Sequence, residues 1–305
     1  MTRPGPKRNL AASIRDRLMQ LARARNEDFN FILSRYGMER LLYRISKSQH
    51  ERTFILKGAM LFTAWSGHPH RATKDIDLLG TGAPDLERLR EIFREVCAAV
   101  VEEDGVVFDA DSVLASRIKE EANYEGVRVQ LRGKLGSAVL DLQIDIGFGD
   151  AITPRPVSAE FPVLLDAPAP RLRMYPRETV IAEKFEAMLQ LGIANSRMKD
   201  FFDIIFLARS FEFDGATLVS AIGATLARRG TPVPQHAPLA FTPAFADDPQ
   251  KKVQWAGFLN RAKMAERSLT LPAVVAEIRT FLDEPLKALR TSSEFARHWS
   301  AGTWR

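Results

Sequence analysis

Apolar residues over the first fifty positions follow the spacing of a helix. They recur every three or four positions between Leu10 and Leu21, and again between Phe31 and Ile45. Residues three and four apart share one face of an α-helix, which can then pack against a core. We therefore predict a helical N-terminal segment over residues 1–50.

From about residue 53 the pattern changes to short apolar runs and to alternation of apolar and polar positions, which is typical of strands. The predicted strands are 53–56, 76–79, 112–119, 125–134 and 137–147, with a hairpin turn at 133–136. Helical spacing returns only at 58–65 and 85–100. Strands interrupted by helices predict an α+β fold with a mixed α/β core, which we place at residues 51–177.

Six prolines fall within residues 150–177. Because proline lacks the backbone N–H that a strand ladder or a helix interior uses, this stretch is predicted to be an extended linker without regular structure. The predicted helices that follow are 178–191, 197–210, 214–229, 251–267 and 271–289. They form an all-helical C-terminal domain over residues 178–305.

Composition narrows the classes of protein that fit this pattern. No apolar run approaches the roughly 20 residues that cross a bilayer, so no membrane partner is expected. The chain has one cysteine, Cys97, and no apolar leader at its N-terminus. These features favour a cytoplasmic location and exclude a disulfide-stabilised or zinc-ribbon protein.

Charge is distributed unevenly along the chain. The overall net charge is +5, but residues 1–50 carry +7, residues 51–249 carry −7 and residues 250–305 carry +5. Basic ends suit a polyanion such as nucleic acid, and an acidic middle suits bound divalent cations.

Two carboxylates on one predicted strand are the strongest candidates for catalysis. Asp75 and Asp77 are two residues apart, so both side chains point to the same face, with Cα atoms about 6.6 Å apart. A third carboxylate from a neighbouring strand would complete a site for two Mg²⁺ ions, which prefer hard oxygen ligands. Asp145 is the first candidate for the third ligand and Asp141 is the second. Such ions activate an attacking oxygen and stabilise a leaving oxygen.

A glycine turn precedes this strand. Gly58 stands where a predicted strand meets a helix, and a glycine there lets backbone N–H groups approach a triphosphate. Lys57, Arg71 and Lys74 add positive charge for phosphates. The sequence contains no G-x-x-x-x-G-K-[ST] motif, which excludes a P-loop NTPase.

A lysine and two acids in the predicted C-terminal helices form a second group. Lys184 lies on one helix, and Asp200 and Asp203 lie three residues apart on the next, on a face shared with Lys199. The neighbouring residues of that helix are phenylalanines and isoleucines, which predicts a mostly buried helix whose acids have a specific role. A lysine near phosphates stabilises the negative charge that accumulates during transfer.

Six segments, taken in order, resemble the AbiEii/AbiGii-type nucleotidyltransferase toxin family, whose members are distant relatives of DNA polymerase β. The segments are RYGMERLLYR (35–44), FILKGA (54–59), RATKDIDL (71–78), QIDIGFGD (143–150), YPRETVIAEK (175–184) and NSRMKDFFD (195–203). Each segment alone is weak evidence. Together and in this order they resemble the family over nearly the whole chain.

The resemblance implies a polymerase-β-like nucleotidyltransferase fold in a toxin paired with a separate antitoxin protein. Members of the family resemble enzymes that transfer nucleotides from NTPs with Mg²⁺, and some modify the 3′ end of tRNA, which blocks translation. By position, the resemblance implies metal binding and catalysis by Asp75, Asp77 and Asp145. It also implies catalysis by Lys184 with an aspartate of the later motif, for which we favour Asp203. The residues expected to bind the nucleotide are Lys57, Gly58, Ala59, Arg71, Thr73, Lys74, Ser196, Lys199 and Asp200.

One residue departs from the family pattern, and two other hypotheses stay open. Ala59 stands where the wider superfamily usually has serine or glycine, so it offers no hydroxyl to a phosphate. One alternative is nucleotidyl or phosphoryl transfer to a protein, including the antitoxin, or to a small molecule such as an aminoglycoside. The other is a non-catalytic protein that binds nucleic acid through its basic ends.

Overall fold

The computed structural model describes residues 9–120, 124–261 and 269–305 of the chain. The fold combines a mixed sheet with helices, as predicted. The sheet has seven strands. Among the described residues, no helix combines the length and the apolar character that crossing a membrane requires.

The chain forms two compact units. The first comprises Met1–Gly149 and Val157–Met174. The second comprises Asp150–Pro156 and Tyr175–Arg305. The chain therefore passes between the two units more than once, each time within or beside the proline-rich stretch.

The first unit is built on the seven-stranded sheet. Its strands are β1 (Phe54–Lys57), β2 (Asp75–Gly80), β3 (Val106–Glu120), β4 (Tyr124–Leu135), β5 (Ala138–Phe148), β6 (Val157–Glu160) and β7 (Arg171–Met174). Its helices are α1 (Leu10–Arg25), α2 (Phe29–Lys47), α3 (Met60–Ser66) and α4 (Leu86–Ala98). The strand order is β3-β4-β5-β2-β1-β7-β6, with β2 parallel to β5 and antiparallel to β1.

Alternation in β2 and β5 separates aliphatic from acidic side chains. Ile76, Leu78, Ile144 and Ile146 are at most 2% exposed. The acids of both strands alternate with these residues and therefore lie on the opposite face of the sheet. Burial of the aliphatic face fixes the register, because a slip by one residue would exchange the two faces.

The predicted N-terminal helical segment consists of two helices among its described residues, with residues 1–8 outside them. Asn26 ends α1 in the left-handed conformation, with φ of 52°. Asp28 then begins α2, because its side chain accepts hydrogen bonds from the backbone N–H groups of Asn30 and Phe31.

The proline-rich stretch is not free of regular structure, contrary to prediction. It contains β6 and β7, which pair antiparallel, and β7 also pairs parallel with β1. The prolines flank these two strands and none lies within them, so every strand N–H remains able to donate. A strand of four residues has too short an alternating pattern to be recognised in a segment with six prolines.

The second unit is mainly helical. Its α-helices in the described residues are α5 (Arg177–Leu191), α6 (Met198–Ser210), α7 (Gly215–Arg229), α8 (Pro243–Ala246), α9 (Pro249–Arg261) and α10 (Leu271–Thr291). The predicted helix 251–267 corresponds to α9, and its residues 262–267 lie outside the described residues.

The C-terminal half was predicted to be all helical. This prediction is wrong, because that half also contains three short strands. These are β8 (Phe213–Asp214), β9 (His298–Ser300) and β10 (Thr303–Trp304), which form a small antiparallel sheet. Strands of two or three residues show no alternation that a sequence pattern could reveal. The sheet is held by buried Trp299 and Trp304, whose indole N–H groups donate to the carbonyl oxygens of Ala208 and Phe281.

Candidate active site

Four charged residues form one row across four neighbouring strands of the first unit. Lys57 on β1 lies opposite Asp77 on β2, which in turn lies beside Asp145 on β5. Arg128 on β4 lies opposite Asp145 and ends the row. Register partners point to the same face of a sheet. The row therefore has two carboxylates at its centre and a cationic residue at each end.

Asp75 joins the two central acids to form what we call the carboxylate triad: Asp75, Asp77 and Asp145. One carboxylate oxygen from each residue lies within 4.8 Å of the others. Asp145 is buried and the other two are half-buried. Like charges so close together, and partly removed from water, repel one another unless a cation lies among them. The oxygen donors fit Mg²⁺, which takes its remaining ligands from water and substrate phosphates.

The structure separates the two candidates for the third carboxylate. Asp145 lies in the triad. Asp141, four residues earlier on β5, is exposed and forms an ion pair with Arg132 at 3.0 Å. Asp141 is therefore not part of the group.

Arg128 holds the third carboxylate in place. Its Nε and Nη2 atoms donate to the two oxygens of Asp145 at 2.8 and 2.9 Å, a bidentate arrangement. The hydrogen bonds to Asp145 raise the pKa of Arg128, and the negative charge of Asp75 also contributes. Arg128 thus orients Asp145 and offsets part of the negative charge of the triad.

The turn before α3 approaches the triad closely. Gly58 has a φ of +73°, and a Cβ atom at this position would lie 1.9 Å from Oδ2 of Asp77. Lys57 is 8% exposed and Ala59 is also buried. A glycine is required at position 58 both by the backbone conformation and by the space that Asp77 occupies.

Substitution of Gly58 tests this close approach. We expect Gly58→Ala to lower the free energy of unfolding by about 1–3 kcal/mol, because alanine is strained at positive φ. The added methyl group must also displace Asp77, and we expect about a hundredfold loss of nucleotide transfer from a displacement of that kind. Denaturant unfolding and a transfer assay measure the two effects.

The matched control is Gly82→Ala. Gly82 has a φ of +94° with no atom within 4 Å of an added Cβ, so this variant carries the backbone strain without the clash. It should lose stability and keep its transfer activity. Equal transfer by both variants would show that the contact between Gly58 and Asp77 is unimportant.

The other predicted nucleotide-binding residues of the first unit lie within the four positions before Asp75. The hydroxyl of Thr73 donates to Oδ1 of Asp75 at 2.6 Å and so orients that carboxylate. Arg71 is half-buried and Lys74 is exposed. Their role in nucleotide binding stays a prediction.

A second charged cluster lies in the second unit. Nζ of Lys184 on α5 lies 2.8 Å from Oδ1 of Asp200 and 2.7 Å from Oδ2 of Asp203, both on α6. Both aspartates are fully buried. Burial alone would raise the pKa of Asp200, but the charges of Lys184 and Arg197 outweigh it and lower the pKa. Nε of Arg197 donates to Asp200 at 2.6 Å.

The expected face shared by Lys199 and the two aspartates is not observed. Lys199 and Ser196 are exposed, whereas Asp200 and Asp203 are buried. The partner of both acids is Lys184, which comes from a different helix. Arg197 and Arg128 were not predicted. Arg197 lies at i, i+3 to Asp200 and could have been found from that spacing.

The chain is similar to a known protein family. A family model described as "Nucleotidyl transferase AbiEii toxin, Type IV TA system" matches residues 40–284, which is more than half of the chain. No curated protein matches it.

Two solved structures from Helicobacter pylori are also similar to the chain. One protein, provisionally described as a nucleotidyltransferase, is 16% identical, with 88% of this chain and 100% of that chain covered and a TM-score of 0.49. The other, named JHP933, is 16% identical, with 87% of this chain and 95% of that chain covered and a TM-score of 0.50. At this identity, the likeness to JHP933 concerns the fold alone.

Proposed function

The chain belongs to the AbiEii nucleotidyl transferase toxin family of type IV toxin–antitoxin systems, and we propose that it transfers nucleotides from an NTP to the 3′ hydroxyl of tRNA. The observation that best supports this proposal is the carboxylate triad, with its oxygens within 4.8 Å of one another beside the Gly58 turn. Such transfer would block translation in the cytoplasm, under the control of a cognate antitoxin.

The proposed reaction exchanges one phosphorus–oxygen bond for another. The acceptor oxygen bonds to the α-phosphorus, the bond from that phosphorus to the bridging oxygen breaks, and pyrophosphate leaves. The hydroxyl proton passes to water. Asp75, Asp77 and Asp145 would hold Mg²⁺, which supplies positive charge to the attacking and leaving oxygens. Thr73 and Arg128 orient two of these carboxylates.

Other residues act on the triphosphate in this proposal. Lys57 and the backbone at Gly58 and Ala59 contact its phosphates, with Arg71 and Lys74 adding positive charge. Lys184 supplies a further cation and Asp203 orients it, which agrees with their ion pair at 2.7 Å. Ser196, Lys199 and Asp200 are proposed to bind the nucleotide, Asp200 through its hold on Lys184.

The proposal of tRNA as acceptor rests on the family and on charge. Residues 1–50 and 250–305 carry net charges of +7 and +5. Basic segments of this kind neutralise backbone phosphates and bind nucleic acid in a salt-dependent manner.

A labelling experiment separates the acceptor classes. The protein is incubated with Mg²⁺, each α-labelled NTP in turn and total cell extract, and the products are separated into RNA, protein and small molecules. We expect label in the tRNA fraction with at least one NTP. Label in the protein or small-molecule fraction would instead support one of the alternative acceptors. No label with any NTP, together with nucleic-acid binding, would support the non-catalytic alternative.

A further inference from the structure

A pocket in the first unit lies next to the triad and includes residues that have no role so far. Its lining includes Arg35 and Glu39 on α2, together with Ala59, Arg71, Thr73, Phe161 and further apolar side chains. Thr73 connects the pocket to the triad, because its hydroxyl donates to Asp75. We call it the arginine pocket.

Arg35 is a buried cation with incomplete hydrogen bonding. It is 7% exposed, and its Nη1 atom has no hydrogen-bond partner among the described residues. Nη1 forms an ion pair with Glu27 at 3.6 Å, which is longer than a hydrogen bond, and the charge of Glu39 also acts on Arg35. A buried N–H without a partner costs about 1–3 kcal/mol, so such groups call for a specific explanation.

Arg44, nine residues later on the same helix, shows that a buried arginine of α2 can be satisfied within the protein. Its Nη1 and Nη2 atoms donate to the two carboxylate oxygens of Asp104 at 2.8 and 3.1 Å. They also donate to the carbonyl oxygens of Arg40 and Val106. The hydrogen bonding of Arg35 is therefore less complete than that of Arg44 on the same helix.

The chemistry of the pocket suits a phosphate group. Arg35 and Arg71 bring two guanidinium groups to the pocket, and guanidinium binds phosphate in a planar, bidentate manner. Ala59 belongs to the turn already predicted to bind a nucleotide. The enclosed part of the pocket has room for about one water molecule, so it excludes a nucleobase, and a phosphate would lie at its open mouth.

We propose that the arginine pocket binds a phosphate group of a substrate, with Arg35 as its main ligand. This inference rests on the proposed function, since the phosphate belongs either to the NTP or to the backbone of the acceptor nucleic acid. Both sources present the same chemistry to Arg35. Binding measurements with each source distinguish them.

The test is equilibrium binding without turnover. Calorimetry with an NTP analogue that cannot release pyrophosphate, and separately with tRNA, compares wild type with Arg35→Gln and Arg35→Lys. We expect Arg35→Gln to weaken binding of one of the two ligands at least about tenfold, and Arg35→Lys to weaken it less. Weaker analogue binding assigns the phosphate to the NTP, and weaker tRNA binding assigns it to the acceptor.

The matched control is Arg25→Gln. Arg25 on α1 is exposed and its charge acts on Arg35, but it does not line the pocket. This variant removes the same charge near the pocket and should bind the NTP analogue as wild type does. Any loss of tRNA binding that it shows, as a member of the basic N-terminal segment, is the baseline for Arg35→Gln. If folded Arg35→Gln binds both ligands as tightly as Arg25→Gln, the inference is wrong. If the wild type binds neither ligand, the proposed function fails first.

Glu39→Gln tests the same pocket without any change to Arg35. Glu39 is 1% exposed and accepts a hydrogen bond from the N–H of Leu164, which a glutamine oxygen can also accept. Burial raises the pKa of Glu39 to about 7, although that hydrogen bond and the charges of Arg35, Arg40 and Arg25 lower it. At pH 8 the carboxylate of Glu39 is mostly ionised. It would then repel a phosphate bound in the pocket, which Glu39 and Arg71 both line.

We therefore expect Glu39→Gln to bind the phosphate ligand about threefold to tenfold more tightly than wild type at pH 8. At pH 6, where Glu39 is mostly neutral, the two proteins should bind alike. Any change in protonation of the ligand between the two pH values is the same for both proteins, so it does not affect their comparison. Equal affinities at both pH values would contradict phosphate binding beside Glu39.

Discussion

Asp77→Asn is expected to reduce nucleotide transfer by roughly a thousandfold while the protein stays folded. Asp77 is the central member of the triad, lying beside Asp145 across the sheet and against the Gly58 turn. The amide removes one of the three negative charges that would hold Mg²⁺. It also relieves repulsion among the acids, so the free energy of unfolding should stay the same or rise. Transfer of labelled nucleotide and denaturant unfolding measure the two effects.

Asp141→Asn is the matched control for that variant. It makes the same chemical change on β5, but Asp141 is exposed and pairs with Arg132 outside the triad. We expect wild-type transfer within about twofold, since removal of an exposed ion pair costs only about 0–1 kcal/mol. The triad would lose its assigned role if the two variants had similar activity.

Lys184→Met is expected to abolish transfer and to destabilise the protein by about 3–5 kcal/mol. The substitution leaves Asp200 and Asp203 fully buried without the ammonium group that lies within 2.8 Å of both. Because the pKa of Asp200 is lowered in the folded protein, its stabilising effect is present above the unfolded-state pKa of about 4 and is lost at lower pH. The difference in stability between wild type and variant should therefore shrink below about pH 4.

A double variant separates the structural role of Lys184 from a catalytic one. Lys184→Met combined with Asp203→Asn removes one charge of each sign, so less uncompensated charge stays buried and stability should partly return. Transfer should stay abolished, because the proposed contact of Lys184 with the phosphates is still missing. Recovery of transfer along with stability would show that Lys184 only maintains the fold.

The sequence was sufficient to predict the triad because its members lie on two strongly alternating strands. Asp75 and Asp77 follow from a spacing of two on one strand. The regular alternation of β5 places Asp145 and Asp141 on one face, so the sequence ranked Asp145 first and the structure separated the two. To predict the residue that pairs with Asp145, the register of the β4–β5 hairpin must be known. This register depends on the position of the turn. The turn was predicted at 133–136, whereas Leu135 pairs with Ala138. With the turn at the predicted position, Asp145 would pair with a residue other than Arg128.

Contacts between elements distant in sequence could not be predicted in the same way. The acids of α6 were expected to need a specific role, but helical spacing offers only partners on the same helix, such as Lys199. Lys184 reaches them because α5 packs on α6. The pairing of β7 with β1 likewise joins residues more than a hundred positions apart, and no local pattern encodes it.

Binding of Mn²⁺ in place of Mg²⁺, followed by electron paramagnetic resonance, tests most directly whether three converging acids hold the metal for transfer. With an NTP analogue that does not react, we predict that wild type and Asp141→Asn bind two ions and that Asp77→Asn binds them at least about tenfold more weakly. The account is contradicted if Asp77→Asn, shown to be folded, binds Mn²⁺ with the wild-type number and affinity.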